Sequence, residues 1–347
     1  MKDNGLVSII IVNYNSGKLL QNCIKSVLDS DYKNFEIIVV DNCSTDNSHT
    51  ESKKRFNQIK LIENSKNLGY CEGNNVGIRN ANGEYLVILN PDTIVETDFI
   101  LKFFKAISKF GNGLFQGKNV AMNNDDVLRS TGNWINIFGF GYARDKGVSK
   151  NKKFEGIEEI NYASGTCLFT KMETIKNIGF FDPFIFLYHD DLDLGWRASC
   201  LNIKSFFVPD VKIRHVSSYN LQWSSKKFFW LERNRKYCLL THYSESTRKK
   251  INQEIFLVEV LVFFSYLLKG MIKSKIQADI EIFRNKKMIH RKYEELEKRK
   301  VVSDLELVKN FSNTIFIPDD VSNDISGKMF NKILSYLSNK ARKRLLG

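Results

Sequence analysis

The run Val7–Val12 (V-S-I-I-I-V) limits the choice of fold more than any other feature of this chain. Six mostly β-branched residues with no polar alternation suit a strand buried on both faces, as in a parallel sheet. Asn13–Gly17 then breaks the run, and Leu19, Leu20, Cys23, Ile24, Val27 and Leu28 recur at helical spacing, giving one apolar face. Phe35–Val40 and Tyr85–Leu89 repeat the buried-strand pattern, Ile59–Glu63 reads as another strand, and a short helix is expected near Asn74–Asn80. Strands alternating with helices at this spacing predict βαβ units and an α/β fold. Ligands of such sheets bind beyond the carboxyl ends of the strands. The polar loops 13–17, 41–46 and 90–93 all follow strand ends, so they are expected to converge on one cleft.

Charge divides the chain unevenly. Of the formal net charge of +13, residues 246–347 carry +9, from 21 Lys+Arg against 12 Asp+Glu. This predicts a catalytic-type α/β domain over 1–245 and a basic helical region over 246–347. In the latter, Ile255–Ile272 is strongly apolar, but its clean run of roughly 14 residues is interrupted by Glu259. A spanning helix needs about 20. With Lys269, Lys273, Lys275, Arg284, Lys286 and Lys287 following, a helix lying in or re-entering a membrane interface fits best; packing against the rest of the protein is the alternative. Lys328–Leu346 is a second basic amphipathic candidate. The basic excess lies beside apolar sequence, not interleaved with stacking aromatics, which argues against nucleic acid. Six scattered cysteines without C-x-x-C spacing argue against a zinc site or a disulfide framework, and for a reducing compartment. No secretory signal is apparent at the start. Together these features point to the cytoplasmic face of the cell membrane.

Several polar groups sit where chemistry is expected. Asp41 and Asn42 end a buried strand and suit a base edge or ribose hydroxyl; Ser44, Thr45 and Asp46 after them equally suit the start of a helix. Asp92, in Asn90-Pro91-Asp92, could hold a divalent cation or simply shape a turn. His189-Asp190-Asp191-Leu192-Asp193 packs three carboxylates into four residues, a repulsive arrangement that a cation or a proton-accepting role would reward. Helix-start acids are the plainer reading. Arg197 is near enough to pair with Asp193, His215 follows two short strand-like runs, and Arg233 could clamp a phosphate or cover a surface.

In order along the chain, V-S-I-I-I-V-N-Y-N (7–15), V-V-D-N-C-S-T-D (39–46), N-L-G-Y-C-E-G-N-N-V-G-I (67–78), L-N-P-D-T (89–93), A-S-G-T-C-L-F (163–169), the stretch 181–197 and R-H-V-S-S (214–218) resemble glycosyltransferase family 2, which has the GT-A fold, and within it the rhamnosyltransferase-like group. The resemblance implies that Tyr14, Asn15, Asp41 and Asn42 surround a nucleotide, and that Asn67, Gly73 and Asn74 approach ribose and diphosphate. It implies that Asp92 and His215 bind Mg2+ or Mn2+ and that Asp191 is the general base, with Asp190, Asp193, Arg197 and Arg233 in support. Asn90 stands where the family's D-x-D motif has its first acid, and Asp190 where Glu is usual. The Q-x-x-R-W signature of processive synthases is missing, which favours single addition. The implied activity is inverting transfer from a nucleotide-diphosphate sugar to a hydroxyl of a lipid-linked glycan. A polyprenyl-phosphate sugar synthase is the alternative within the family. A non-catalytic membrane scaffold is the alternative outside it, although such a scaffold should have lost acids from 190–193. A nucleotidyltransferase would want a lysine- and glycine-rich triphosphate loop, and V-N-Y-N-S-G-K holds one of each.

Overall fold

The computed structural model describes residues 5–148, 153–216, 224–315 and 325–347. Ser217 and Ser218, the end of the R-H-V-S-S stretch, lie outside them. The chain divides into two compact units, the first made of 1–133, 143–195 and 203–217, the second of 134–142, 196–202 and 218–347.

The first unit is built on a ten-stranded sheet. Its first half runs β1 (Val7–Asn13), α1 (Lys18–Leu28), β2 (Phe35–Asp41), α2 (Ser48–Arg55), β3 (Lys60–Glu63), α3 (Gly69–Arg79), β4 (Tyr85–Leu89), β5 (Thr93–Val95) and α4 (Phe99–Phe110). Along the chain then come β6 (Gly113–Ala121), β7 (Asn124–Ser130), a small pair β8 (Asn133–Ile135) and β9 (Gly141–Ala143), β10 (Glu158–Ile160), β11 (Cys167–Lys171), α5 (Met172–Ile178), α6 (Asp190–Cys200) and β12 (Lys204–His215); most of the β8–β9 pair and the end of α6 fall in the second unit. Along the sheet the order is β10-β12-β6-β11-β4-β1-β2-β3, with β5 on β12 and β7 on β6. β4, β1, β2 and β3 pair in parallel, as the uniform apolar runs require, while β11 enters antiparallel between β4 and β6. The sheet is thus mixed.

All seven residues of β1 are buried, which is why no alternation shows in its sequence. Helices α1 and α4 supply Leu20, Cys23, Ile24, Val27, Phe99, Phe103 and Phe104 to the core beside Ile9, Ile11, Val87 and Phe169. The two runs read as separate strands, 206–208 and 211–213, are one strand, β12, with a register shift against β6 between Val208 and Lys212. α3 begins at Gly69, five residues before the expected start. Asn67 Oδ1 accepts from the Gly69 N–H at 2.8 Å, satisfying a donor at that end.

The second unit is helical: α7 (Ser225–His242), α8 (Glu245–Lys250), α9 (Asn252–Leu268), α10 (Ile272–Arg284), α11 (Lys286–Glu297), α12 (Asp304–Lys309) and α13 (Ile325–Leu346). α9 buries Glu254, Val258 and Val262 and leaves Phe256, Leu257, Val260, Phe263, Phe264, Leu267 and Leu268 exposed. α13 buries Leu334, Leu337, Ala341 and Leu345. No helix among the described residues is long and apolar enough to cross a membrane. All six cysteines are free, Cys43 alone among them exposed.

Candidate active site

The carboxyl ends of β1 and β2 lie side by side, Asn13 opposite Asp41. Asp41 is 1% exposed, and its carboxylate is fully engaged. Oδ1 accepts from Asn13 Nδ2 at 2.7 Å and Ser44 Oγ at 2.6 Å, and Oδ2 accepts from the Ser44 N–H at 2.8 Å. Asn15, in the left-handed region at φ 54°, takes the Thr45 N–H on its Oδ1 and gives its own N–H to Ser44 Oγ. Asn42 Nδ2 donates to the Gly69 carbonyl, and Asn42 Oδ1 accepts from Asn64. The polar ends of β1, β2 and α3 are therefore laced together, and Tyr14 stands out from them, 43% exposed.

Two glycines allow this closeness. Gly69 has φ 78°, and a Cβ there would lie 2.5 Å from the Phe186 ring. A Cβ on Gly73 would meet Val12 Cγ1 at 2.8 Å and Asn42 Nδ2 at 3.1 Å, so α3 could not sit this close to β1 with any other residue. Asn74 is fully buried, gives Nδ2 to the Tyr70 carbonyl and leaves its Oδ1 without a partner.

Asp92 and His215 come together through pairing of their strands. β5 runs antiparallel to β12 with Thr93 opposite His215, which sets His215 Nε2 3.2 Å from Asp92 Oδ1. Both side chains are about 15% exposed, open enough for a ligand to reach them. One carboxylate oxygen and one imidazole nitrogen form a donor set that suits Mn2+ or Mg2+ completed by diphosphate oxygens and water. Their separation is close to the roughly 3 Å edge of an octahedron with bonds of about 2.1 Å. The residues present therefore fit such an ion.

The acidic cluster opens α6. Phe186, Tyr188 and His189, just before it, all have left-handed φ of 61–63°, an unusual concentration of backbone strain in non-glycine residues. Asp191 Oδ1 accepts from the Leu192 N–H at 2.9 Å, and Oδ2 from the Gly165 N–H at 3.4 Å. Burial pushes Asp191 up to about 6, against the opposing hydrogen bonds from Gly165 and Leu192. Asp190 is driven well above the usual carboxylate range by burial and then by the charge of Asp191. Asp193 is buried, 1% exposed.

A short turn joins the acids to the Asp92–His215 pair. Gly165, which faces Asp191, is followed by Thr166, whose carbonyl accepts from the Asn90 N–H at 3.0 Å. The side chain of Asn90 itself makes no hydrogen bond among the described residues. Tyr70, at the start of α3, donates its hydroxyl to the Gly165 carbonyl at 2.7 Å. Motif reading singled out neither Tyr70 nor Gly165 individually, although both fall inside stretches that carried the resemblance. Their role is one of placement, visible only once α3, β11 and α6 are folded together. Arg197 and Arg233 belong to the second unit, where Arg233 pairs with Glu281 at 3.0 Å.

Residues 8–179 match the model of "Glycosyl transferase family 2". These residues form a domain of that family. Its relatives include the glycosyltransferase GlyG of Streptococcus pneumoniae, 33% identical over 107 residues, 30% of this chain and 36% of that protein. They also include the N-acetylglucosaminyl-diphospho-decaprenol L-rhamnosyltransferase of Mycobacterium tuberculosis, 21% identical over 62% of this chain and 77% of the relative. Among solved structures, GalNAc-T7 with UDP, GalNAc and Mn2+ superposes with a TM-score of 0.59 at 15% identity, over 74% of this chain and 52% of that one, a likeness of fold that marks the first unit as GT-A-like. The chain spans about a third to a half of the length of the first curated relatives it matches.

Proposed function

We propose that this protein transfers a hexose from a nucleoside-diphosphate sugar to a hydroxyl of a lipid-linked glycan, with inversion at the anomeric carbon. The single observation that carries the reading is the Gly165–Thr166 turn, which links a half-buried carboxylate of raised pKa to the segment bearing the Asp92–His215 pair. The polar ends of β1, β2 and α3 receive the nucleotide, with Tyr14 available to stack on the base and Asn15, Asn67 and Asn90 near the ribose and diphosphate. Asp191 takes the proton of the acceptor hydroxyl as its oxygen attacks the anomeric carbon from the face opposite the diphosphate. An Mg2+ or Mn2+ ion held by Asp92 and His215 would neutralise charge on the diphosphate. Back-side attack inverts the centre, and no covalent intermediate is required.

The relatives support the acceptor class, since the rhamnosyltransferase named above acts on a diphospho-decaprenol sugar by its name. The exposed apolar face of α9, in a helical region carrying the basic excess, supports peripheral contact with an anionic membrane.

The test is transfer itself. The chain is incubated with Mn2+, a panel of nucleoside-diphosphate hexoses and a prenyl-diphosphate-linked oligosaccharide, and the anomeric configuration of the product is read by NMR. One donor giving a product of inverted configuration is the expected outcome. Retained configuration would refute the mechanism, and no transfer from any donor would refute the activity.

A further inference from the structure

The second unit holds a cleft of about 320 Å3 between α7, α8, α10 and α11. Its apolar walls are Leu240, Ile282, Phe283 and Ile289, and among its polar residues are Arg248 and Lys286. These two cations differ from the others nearby. Lys236, also at the cleft, belongs to a cluster in which Arg235, Lys236 and Lys275 meet Glu232, Glu259 and Asp279, so those charges cancel. Arg248 instead gives one N–H to the Leu240 carbonyl and lies 4.9 Å from the centre of the Tyr293 ring. Lys286 lies 4.7 Å from the centre of the Phe283 ring. Neither meets a carboxylate among the described residues. Two uncompensated cations at one apolar cleft match a ligand that is anionic at one end and apolar along the rest.

The exterior continues the match. Phe283 is 68% exposed, and Ile280 and Ile276, one and two turns before it on the same face of α10, are 44% and 48% exposed. An apolar stripe thus leads along α10 to the cations.

We infer that this cleft binds the phosphate or diphosphate head of a long-chain lipid, with Arg248 and Lys286 on the phosphate and the chain lying along Phe283, Ile280 and Ile276. The same chemistry could come from the carrier lipid of the acceptor or from a bilayer phospholipid; only the first source rests on the function proposed above.

Binding to the full chain is measured in EDTA, which weakens metal-dependent capture of diphosphate in the first unit. The probes are geranyl diphosphate, inorganic diphosphate, and vesicles of phosphatidylglycerol or phosphatidylcholine. Geranyl diphosphate should bind saturably and at least about tenfold more tightly than inorganic diphosphate, because the chain adds buried apolar area. Arg248→Gln/Lys286→Gln should weaken it by about tenfold or more, the scale of a lost charge-assisted hydrogen bond. Phe283→Ser, at an exposed position where folding is not at stake, should weaken geranyl diphosphate and leave inorganic diphosphate unchanged. Selective binding to phosphatidylglycerol vesicles, lost in the double variant, assigns the bilayer source instead. Equal affinity for the two diphosphates, no binding of any probe, or affinities untouched by all these substitutions would overturn the inference. Melting temperature and nucleoside-diphosphate binding with Mn2+, measured on each variant, separate failure here from failure of the catalytic reading.

Discussion

Two clusters of buried charge in this molecule are built on opposite plans. In the second unit, Arg235, fully enclosed, contacts Glu232 at 2.8 Å and Glu259 at 2.5 Å, while Lys275 contacts Glu232, Glu259 and Asp279 at 2.9–3.0 Å. Burial alone would lift Glu259, but Arg235, Lys236 and Lys275 outweigh it and hold the carboxyl far below its ordinary range. In the first unit, Asp190 and Asp191 sit side by side, supported by main-chain donors, and both are pushed upward. The paired cluster spends its charges on one another and holds helices together. The unpaired one holds the Asp191 carboxyl at about 6, where the base proposed above would take up a proton.

Substitutions can break or sharpen that contrast. Asp191→Asn should reduce transfer by about 10²- to 10⁴-fold, the usual worth of a general base, with donor affinity by calorimetry nearly unchanged. A variant that kept more than about a tenth of the rate would remove Asp191 from that role. Arg235→Met should act the other way, costing about 3–5 kcal/mol in denaturant unfolding because Glu232 and Glu259 lose a buried partner, while the folded fraction keeps its turnover number. Unchanged stability would mean that the helices do not depend on the ion pairs.

The next effect is one of pH. A protonated Asp191 cannot accept a proton, so kcat should fall on the acid side with an apparent midpoint near the value of about 6 to which burial lifts this group. Asp190 lies well above the usual carboxylate range and is uncharged while Asp191 titrates, so Asp190→Asn should leave that midpoint almost in place. A midpoint moved by about one unit or more would mean that Asp190 is ionised beside Asp191. Tyr70→Phe should have the smallest effect, a several-fold loss of kcat with donor KM unchanged, as expected for losing one hydrogen bond to the Gly165 carbonyl. Asp191→Asn combined with Tyr70→Phe should then be no worse than Asp191→Asn alone.

What could be read before folding depended on whether the signal was local. β1, β2 and β4 were legible because a strand buried on both faces writes itself as an unbroken apolar run. The loops after them were legible because polar residues at strand ends have few other uses. The 204–215 segment looked like two strands because Pro209 and Asp210 interrupt its apolar pattern, whereas the chain absorbs them as an irregularity within one. α3 started earlier than its apolar spacing suggested because Gly69 and Tyr70 are held by Asn67 and the Phe186 carbonyl, contacts that carry no periodicity. The ion cluster of the second unit was invisible for a related reason: Arg235 and Glu259 are 24 positions apart, and Glu259 read simply as an interruption of an apolar run. Motif resemblance, not residue spacing, singled out Asp191 among three neighbouring aspartates.

The hydrogen bonds that grip Asp191 come from the amide groups of Gly165 and Leu192. Amides are supplied by any residue except proline, but a Cβ at position 165 would lie 2.5 Å from the Tyr70 hydroxyl, so that donor also calls for glycine. A side chain at 165 would push against Tyr70 and displace the amide that meets the proposed base. One glycine thus serves two masters, making room for a phenol on one side and handing an amide to a carboxylate on the other.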